Sequence, residues 1–316
     1  MIVPEGQSTE YLDQYKEGNI SLGLGIGCVL DEYIRFKRRQ LNIVLGHDNV
    51  GKSYWMEWYF LALATNHGLK TTVWMGENSS GQVMRDLIQM YSGKHFKDLS
   101  YSELRKHEKT IEYYFKFIDN SKLYKPLDML DIIGSTDSDI GFIDPFTGLD
   151  RGMQHSDNYE FLNQTRQFCN QSNKTLYIST HPNSESGRSG MLYPQDHIWF
   201  GHLKPPLKAH IEGGKPFLNR CDDMLVIHRL VKHPDMKYQT MIDIEKVKDR
   251  DTGGQQTELG QPLLFEFNNG LGFKIGGIDP IKRRLDNPLS EEMKQFYAPL
   301  ESNKSFDTDI DDGLPF

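Results

Sequence analysis

The fold is decided by LNIVLGHDNVGKSYWMEWYFLALATNHG, residues 41–68. Its first part is a short apolar run typical of a buried strand, and its last part has the amphipathic pattern of a helix. Between them GHDNVGKS, residues 46–53, fits the G-x-x-x-x-G-K-[ST] pattern of a phosphate-binding P-loop at every fixed position. The strand before the loop and the helix after it are the context that this motif requires. The stretch therefore predicts a nucleotide-binding α/β protein.

The chemistry of the loop predicts ATP and Mg²⁺ as cofactors. Glycines let the backbone wrap around phosphates, and a helix N-terminus adds free N–H donors and the positive end of its dipole. Lys52 is placed to reach the β and γ phosphates, and the Ser53 hydroxyl is placed to ligate Mg²⁺. The candidate cofactor-binding residues are Gly46, His47, Asp48, Asn49, Val50, Gly51, Lys52 and Ser53.

A second residue on the metal side is expected at the end of a later apolar strand. DIGFIDPF, residues 139–146, supplies Asp144 for this metal role. The alternative is that Asp144 only caps the following turn, and the presence of the P-loop favours the metal role. Hydrolysis also needs a group that activates water. Glu77 follows the apolar run TTVWM and should emerge at the carboxyl edge of the sheet, although it could also be a solvated loop acid.

Downstream of the loop, short apolar runs alternate with longer amphipathic stretches, which is typical of βαβ units that feed a parallel sheet. Candidate strands cover residues 41–45, 71–75, 113–118, 140–143, 175–179 and 224–228. Candidate helices cover residues 53–68, 81–93, 127–133 and 159–171. Residues 239–247 and 263–267 indicate late antiparallel strands. We expect an α/β fold: a mostly parallel central sheet with helices on both faces and a late antiparallel edge.

Composition limits where the protein works and what it binds. The net charge is −8, and residues 301–316 carry five acids and one lysine, a net of −4, which leaves −4 for the other 300 residues. A basic coat is excluded, so nucleic acid would have to bind along a local basic path. The polar N-terminus, the absence of a long apolar run and three widely spaced cysteines favour a cytoplasmic protein.

Four features, in this order, resemble the hexameric replicative helicases of the DnaB and Twinkle-like type, within the RecA-like ATPases. They are Glu77 after the second strand, Asp144 on the Walker B strand, the polar-ended strand TLYISTH and the KDR of a late strand. The similarity spans about residues 30–276. The resemblance implies a RecA-like P-loop ATPase core, ATP with Mg²⁺, and a homo-oligomer in the form of a hexameric ring.

The resemblance also implies roles for particular residues. Glu77 corresponds to the catalytic base, and His181, at the end of TLYISTH, corresponds to the residue that senses the γ phosphate and couples it to DNA. Lys248 and Arg250 correspond to a lysine and an arginine finger that reach into the neighbouring subunit's site. The alternative for this basic pair is a solvated charge pair at the end of a strand.

In RecA-like motors, two loops at the carboxyl edge line the central channel, and here they correspond to residues 151–159 and 183–214. Basic groups in them would neutralise phosphates, and the aromatics Tyr193, Trp199 and Phe200 could stack with bases or could pack the loop onto the core. The histidines of this region fit no zinc spacing, so Mg²⁺ is the only metal that we predict. The candidate DNA-binding residues are Arg151, Arg188, Lys204 and Lys208.

Charged and small residues replace the apolar periodicity near the C-terminus. The sequence predicts a lead-in or linker over residues 1–40, a RecA-like ATPase domain over 41–279 and a disordered acidic tail over 280–316. The tail ends in FDTDIDDGLPF, which resembles the acidic tip of bacterial single-stranded DNA-binding proteins. The resemblance implies partner proteins that bind such tips and would contact Phe316 here. Alternatively, the tail could bind the protein's own basic loops and inhibit it. A plain acidic tail is the simpler alternative.

Three functions fit these features. The first is an ATP-dependent helicase or translocase that acts on single-stranded DNA in replication. The second is a RecA-like recombination or strand-annealing ATPase that binds single strands without unwinding a duplex. The third is an ATP-switched recruitment factor whose output is the C-terminal tail.

Overall fold

A mixed sheet runs through the middle of the protein. The computed structural model describes residues 2, 4–6, 8–17, 23–151, 155–248 and 254–282. In these residues the strands are β1 Leu41–Leu45, β2 Thr71–Met75, β3 Phe115–Phe117, β4 Ile140–Asp144, β5 Thr175–Thr180, β6 Asp223–His228, β7 Gln239–Lys246, β8 Leu263–Phe267 and β9 Phe273–Lys274. Their order is β3-β2-β4-β5-β1-β6-β7-β8-β9, parallel from β3 to β6 and antiparallel from β6 to β9. The predicted mostly parallel sheet with a late antiparallel edge is confirmed.

Helices connect the parallel strands. In the described residues they are α1 Thr9–Lys16, α2 Lys52–His67, α3 Ser80–Ser92, α4 Tyr101–Tyr114, α5 Pro126–Gly134, α6 His155–Ser172 and α7 Lys215–Arg220. The sequence analysis missed α4, whose charged pattern hides its apolar face. A capping box of Ser100 and Glu103 starts this helix, and the helix takes up Tyr113 and Tyr114. The strand predicted from residue 113 therefore begins only at Phe115.

The helices cover both faces of the sheet, as predicted. On one face α2, α3 and α4 pack over a cluster that includes Trp55, and on the other face α5, α6 and α7 pack over a cluster that includes Leu162 and Phe217. Successive strand residues point to opposite faces, so Val44 of β1 belongs to the first cluster and Ile43 to the second. Because both faces are covered, the parallel strands β1, β2, β4, β5 and β6 are buried at every residue rather than at every second one.

Residues 23–40 belong to the core, not to a flexible lead-in, and this corrects the predicted boundary at residue 40. Leu24 pairs with Phe36 in an antiparallel bridge, and both side chains are buried in the first cluster. Within this stretch, Val29–Glu32 form a short 3-10 turn. The carboxylate of Asp31 accepts backbone hydrogen bonds from Ile26 and Gly27 at 2.8 and 2.6 Å. A Cβ at Gly25 would lie 2.5 Å from Cγ of Asp31, so this glycine makes room for the buried carboxylate.

The predicted C-terminal tail extends beyond the described residues. Ile281 is buried, and Lys282 is the last residue described. The acidic stretch and Phe316 lie outside the described residues, so the proposed boundary at residue 280 and the partners of the tail stay predictions.

Candidate nucleotide-binding site

The P-loop connects the carboxyl end of β1 to the first turn of α2. Gly51 has a φ of 89°, a left-handed conformation that glycine adopts without steric cost, and it turns the chain into the helix. Gly46 lies so close to β6 that a Cβ there would clash with the carbonyl oxygen of Ile227. The two glycines that the motif demands thus have separate geometric reasons, a backbone turn and a close approach.

Lys52 is held inside the loop and is only 7% exposed. Its Nζ donates to the carbonyl oxygens of Gly46 and His47 at 2.9 and 3.0 Å. The same Nζ lies 3.2 Å from Nδ1 of His181. Burial lowers the pKa of the ammonium group, and the nearby carboxylate of Asp144 opposes this shift. A desolvated cation at a helix N-terminus is well suited to exchange carbonyl oxygens for phosphate oxygens.

Ser53, in the first turn of α2, contacts Asp144 at the end of β4, although β5 lies between β4 and the strand β1 that leads into the P-loop. The Ser53 hydroxyl donates a hydrogen bond to Oδ2 of Asp144. Asp144 is the last residue of β4 and is buried. A hydroxyl beside a carboxylate is an oxygen donor set of the kind that Mg²⁺ accepts in proteins. These two side chains therefore fit the predicted magnesium position.

His181 follows β5 directly and lies between the P-loop and Glu77. Its Nδ1 is 2.8 Å from Oδ1 of Asp48, and its Nε2 is 3.7 Å from Oε1 of Glu77. The imidazole is mostly buried, whereas Glu77 is largely exposed to solvent above it. Nδ1 can donate to Asp48 when protonated or accept from Lys52 when not, so the tautomer decides which partner it holds. The structure thus brings Glu77, His181 and Lys52 together at one edge of the sheet.

A cavity of about 520 Å³ opens in front of the loop, and its floor contains groups that the sequence analysis did not select. Glu57 lies one turn after Ser53 on α2, is buried, and its Oε2 has no hydrogen-bond partner in the described part of the chain. Burial, with a further contribution from the carboxylate of Asp86, raises the pKa of Glu57 well above its usual value. The available signal was a single acid within the otherwise apolar start of α2. Arg85 also lines the cavity and pairs with Asp86 at 2.8 Å.

Arg229 is a second group that the sequence analysis missed. Its Nη2 donates to the backbone carbonyl of Asn49 at 3.2 Å, which ties the end of β6 to the P-loop. Burial lowers the pKa of this guanidinium. A basic residue directly after an apolar strand, beside the P-loop strand, was the signal that could have identified it.

Lys248, one of the two candidate finger residues, lies at the edge of the sheet opposite the P-loop of its own chain. β7 runs antiparallel to β6 and pairs Lys246 with Met224, so Lys248 lies beside the amino end of β6. There its Nζ contacts Oδ1 of Asp222 at 2.9 Å. The P-loop is at the carboxyl end of the same sheet, so Lys248 cannot serve its own nucleotide site in this arrangement. Arg250 lies outside the described residues.

The candidate DNA-binding residues all have partners in the described part of the chain. Arg151 is mostly buried and forms an ion pair with Glu212 at 2.7 Å. This contact is better suited to holding the loop in place than to binding a DNA strand. Arg188 lies 3.6 Å from Glu185, and Lys208 lies 3.5 Å from Glu245. The Nζ of Lys204 lies 6.0 Å from the centre of the Tyr193 ring. Apart from Arg151, these side chains lie in the segment that follows His181.

The fold and the loop together define the class: a P-loop protein with a RecA-like core. Among solved structures, an ATPase domain matches with a TM-score of 0.64 and 13% identity, over 85% of this chain and 99% of its own. A DnaB-like replicative helicase, described with its interactions with primase, matches with a TM-score of 0.64 and 12% identity, over 86% of this chain and 67% of its own. No family model matches the sequence, and the search of curated proteins returned no match. The predicted RecA-like fold, as in the ATPase domains of DnaB-like helicases, is confirmed.

In the described ranges, no helix is both long and apolar enough to cross a membrane.

Proposed function

We propose that the protein is an ATP-dependent helicase or translocase that acts on single-stranded DNA in replication, as a DnaB-like ring ATPase. The position of His181 carries the proposal. It lies 3.2 Å from the P-loop Lys52 and 3.7 Å from Glu77, and the chain continues from it into residues 183–214, which hold three of the four candidate DNA-binding residues. A change in the contacts of Lys52 or Glu77 would therefore act on His181 and so on the start of that segment.

The side chains divide the work of hydrolysis among them. Lys52 and the N-terminus of α2 would bind and orient the phosphates, and Ser53 and Asp144 would hold Mg²⁺, which would neutralise phosphate charge. Glu77, exposed at the mouth of the cavity, orients and deprotonates the attacking water. His181 exchanges contacts between Lys52, Asp48 and the phosphate, and this exchange moves the segment that follows it.

A ring of identical subunits completes the proposal. Lys248 lies at the edge of the sheet opposite its own P-loop, so its function as a finger requires the site of a neighbouring subunit. Arg250, two residues further on, would reach the same neighbour. In this proposal the Lys248–Asp222 contact is released when the neighbouring site holds ATP.

The C-terminal tip adds a proposed recruitment role. The last residues combine several aspartates with Phe316, whose side chain suits a basic, apolar pocket. We propose that proteins that bind the tips of single-stranded DNA-binding proteins also bind this tip.

The test is ATP hydrolysis with and without single-stranded DNA, run beside unwinding of a forked duplex by the same preparation. The Lys52→Ala variant, purified in the same way, controls for contaminating ATPases. Stimulation together with ATP-dependent unwinding supports the helicase. Stimulation without unwinding favours a recombination or annealing ATPase, and hydrolysis that DNA does not stimulate favours a recruitment factor that acts through its tail.

A further inference from the structure

A second cavity, of about 610 Å³, lies away from the nucleotide site. One wall is formed by residues 190–208 of the segment after β5, and the opposite wall is formed by β7 and residues 256–262. Its volume falls within the range of small-molecule sites, about 300–1,000 Å³. The proposed hydrolysis mechanism makes no use of this space.

The first wall is aromatic. The rings of Tyr193 and His197 are stacked with their centres 4.3 Å apart, and Trp199 meets Tyr193 edge-on at 5.2 Å. Trp199 is half-buried, so part of its ring stays accessible from the cavity that it lines. The adjoining Pro205 and Pro206 also line the space and add flat apolar surface. A planar ligand can stack on such a wall.

The opposite wall carries a hydrogen-bond acceptor. Asp243 of β7 lines the cavity and receives a weak hydrogen bond, 3.4 Å, from the Thr257 hydroxyl. Burial, reinforced by the carboxylate of Glu245, raises the pKa of Asp243 to about 6. The acid also contributes to a raised pKa for Tyr193, to about 12, although burial is the main cause. The acceptor therefore faces the aromatic wall across a partly desolvated gap.

Two lysines complete the lining. Lys204 lies above the Tyr193 ring, and Lys208 pairs with Glu245 at 3.5 Å. Cations beside a stacking wall suit a ligand whose planar group is attached to a phosphate. Three acids, Asp243, Glu245 and Glu258, also line the space, so the base, and not a phosphate, is the part of such a ligand that fits beside them.

We propose that this cavity binds one unstacked base of single-stranded DNA, with Trp199 as the stacking surface and Asp243 as the acceptor for an exocyclic amino group. Adenine and cytosine carry such a group, and thymine does not. Lys204 and Lys208 contact the phosphates on either side of the base. This inference rests on the proposed single-strand function, to which it adds a base preference.

Trp199 provides a direct optical test. The protein has four tryptophans, and the other three, Trp55, Trp58 and Trp74, are at most 3% exposed. Stacking of a base on Trp199 therefore quenches the accessible part of the intrinsic fluorescence. Titration with a deoxycytidine 20-mer is expected to quench the wild-type protein, and the quenching is expected to be lost in Trp199→Phe. Unchanged quenching in that variant would overturn the proposal.

Base preference is measured by fluorescence anisotropy at one fixed salt concentration, with 20-mers of deoxyadenosine, deoxycytidine and thymidine. The wild-type protein is expected to bind the first two about tenfold more tightly than the third. Asp243→Asn adds an amide donor that thymine can also accept, so the preference should shrink to within about twofold. Asp196→Asn makes the same charge change in the segment after β5, at a residue that does not line the cavity, and should keep the wild-type preference.

The outcomes separate this site from the function on which it rests. Equal binding of all three oligonucleotides by the wild-type protein overturns the base pocket and leaves single-strand binding standing. If none of the oligonucleotides binds, both the proposed function and the base pocket are overturned. An Asp243→Asn variant with unchanged preference but an altered oligomeric state would assign the cavity to a second copy of the chain and would also overturn the proposal.

Discussion

Nζ of Lys52 lies 3.2 Å from Nδ1 of His181, so the side chain expected to hold phosphate already touches the residue that leads into the candidate DNA segment. The two residues are 129 positions apart in the chain and meet because β1 and β5 are neighbours in the sheet. Asp48 competes for the same ring nitrogen at 2.8 Å. If a bound phosphate drew Lys52 away, His181 would keep only its contact with Asp48. The ring of His181 therefore has two alternative sets of contacts at the edge of the sheet.

Replacement of the P-loop lysine should abolish hydrolysis. Lys52→Ala removes the preorganised cation, and we expect ATP turnover to fall by at least about a hundredfold. The protein should remain folded, because the variant removes a buried charge whose desolvation is costly. Steady-state hydrolysis beside a thermal melt checks both points. Turnover close to that of the wild-type protein would exclude the proposed phosphate site.

Loss of the His181 imidazole should separate hydrolysis from its response to DNA. In His181→Ala, Lys52 keeps its contacts with Gly46 and His47, so basal turnover should fall by less than about tenfold. Stimulation by single-stranded DNA should disappear, because the link to residues 183–214 is lost. Hydrolysis measured over a DNA titration tests this, and a variant that DNA still stimulates fully would contradict the coupling role.

The buried Glu57 should make stability depend on pH. Its pKa is raised in the folded state above the ordinary 4.5, so between these two values the folded protein holds a proton that the unfolded chain has released. The free energy of unfolding therefore falls as pH rises, by up to about 1.4 kcal/mol per pH unit for this one group. Because Glu57→Gln cannot ionise, its free energy of unfolding should increase relative to that of the wild-type protein as pH rises. Urea unfolding of both proteins at about pH 5 and pH 7 measures the difference, and equal pH slopes would disprove it.

The finger role predicts complementation between two inactive proteins. Arg250→Ala should lose hydrolysis only because the neighbouring site lacks its cation, and Lys52→Ala should lose it because its own site is broken. In mixed rings, a Lys52→Ala subunit supplies Arg250 to an intact P-loop, so partial activity should return on mixing. Full activity of Arg250→Ala alone would remove the finger. Wild-type protein diluted with each variant controls for subunit exchange.

The C-terminal tip should act through its last residue. Phe316→Ala removes the apolar anchor and leaves the charge, so affinity for a protein that binds single-strand-binding-protein tips should fall by at least about tenfold. ATP hydrolysis should be unchanged. Calorimetric titration of that partner with both proteins measures the effect, and equal affinities would leave the tail as a plain acidic segment.

Local pattern was enough for the parts of the site that lie at strand ends. The P-loop, Asp144 and Glu77 each follow an apolar run, and the carboxyl ends of parallel strands share one edge, so their meeting could be predicted without the fold. The pattern failed where charge hid an apolar face, as in α4. It also failed for Glu57, because an acid within an apolar helix has no meaning until its surroundings are known.

The sequence by itself determined that this protein has a P-loop between a strand and a helix, feeding a mostly parallel sheet, because those features are written in residues close together in the chain. Only the tertiary structure decided that residues 23–40 join the core, that Lys248 lies opposite its own P-loop, and that Tyr193 faces Asp243. Each of these depends on which distant segments become neighbours. Strand order and burial set those neighbours, and the periodicity of the chain carries no record of either.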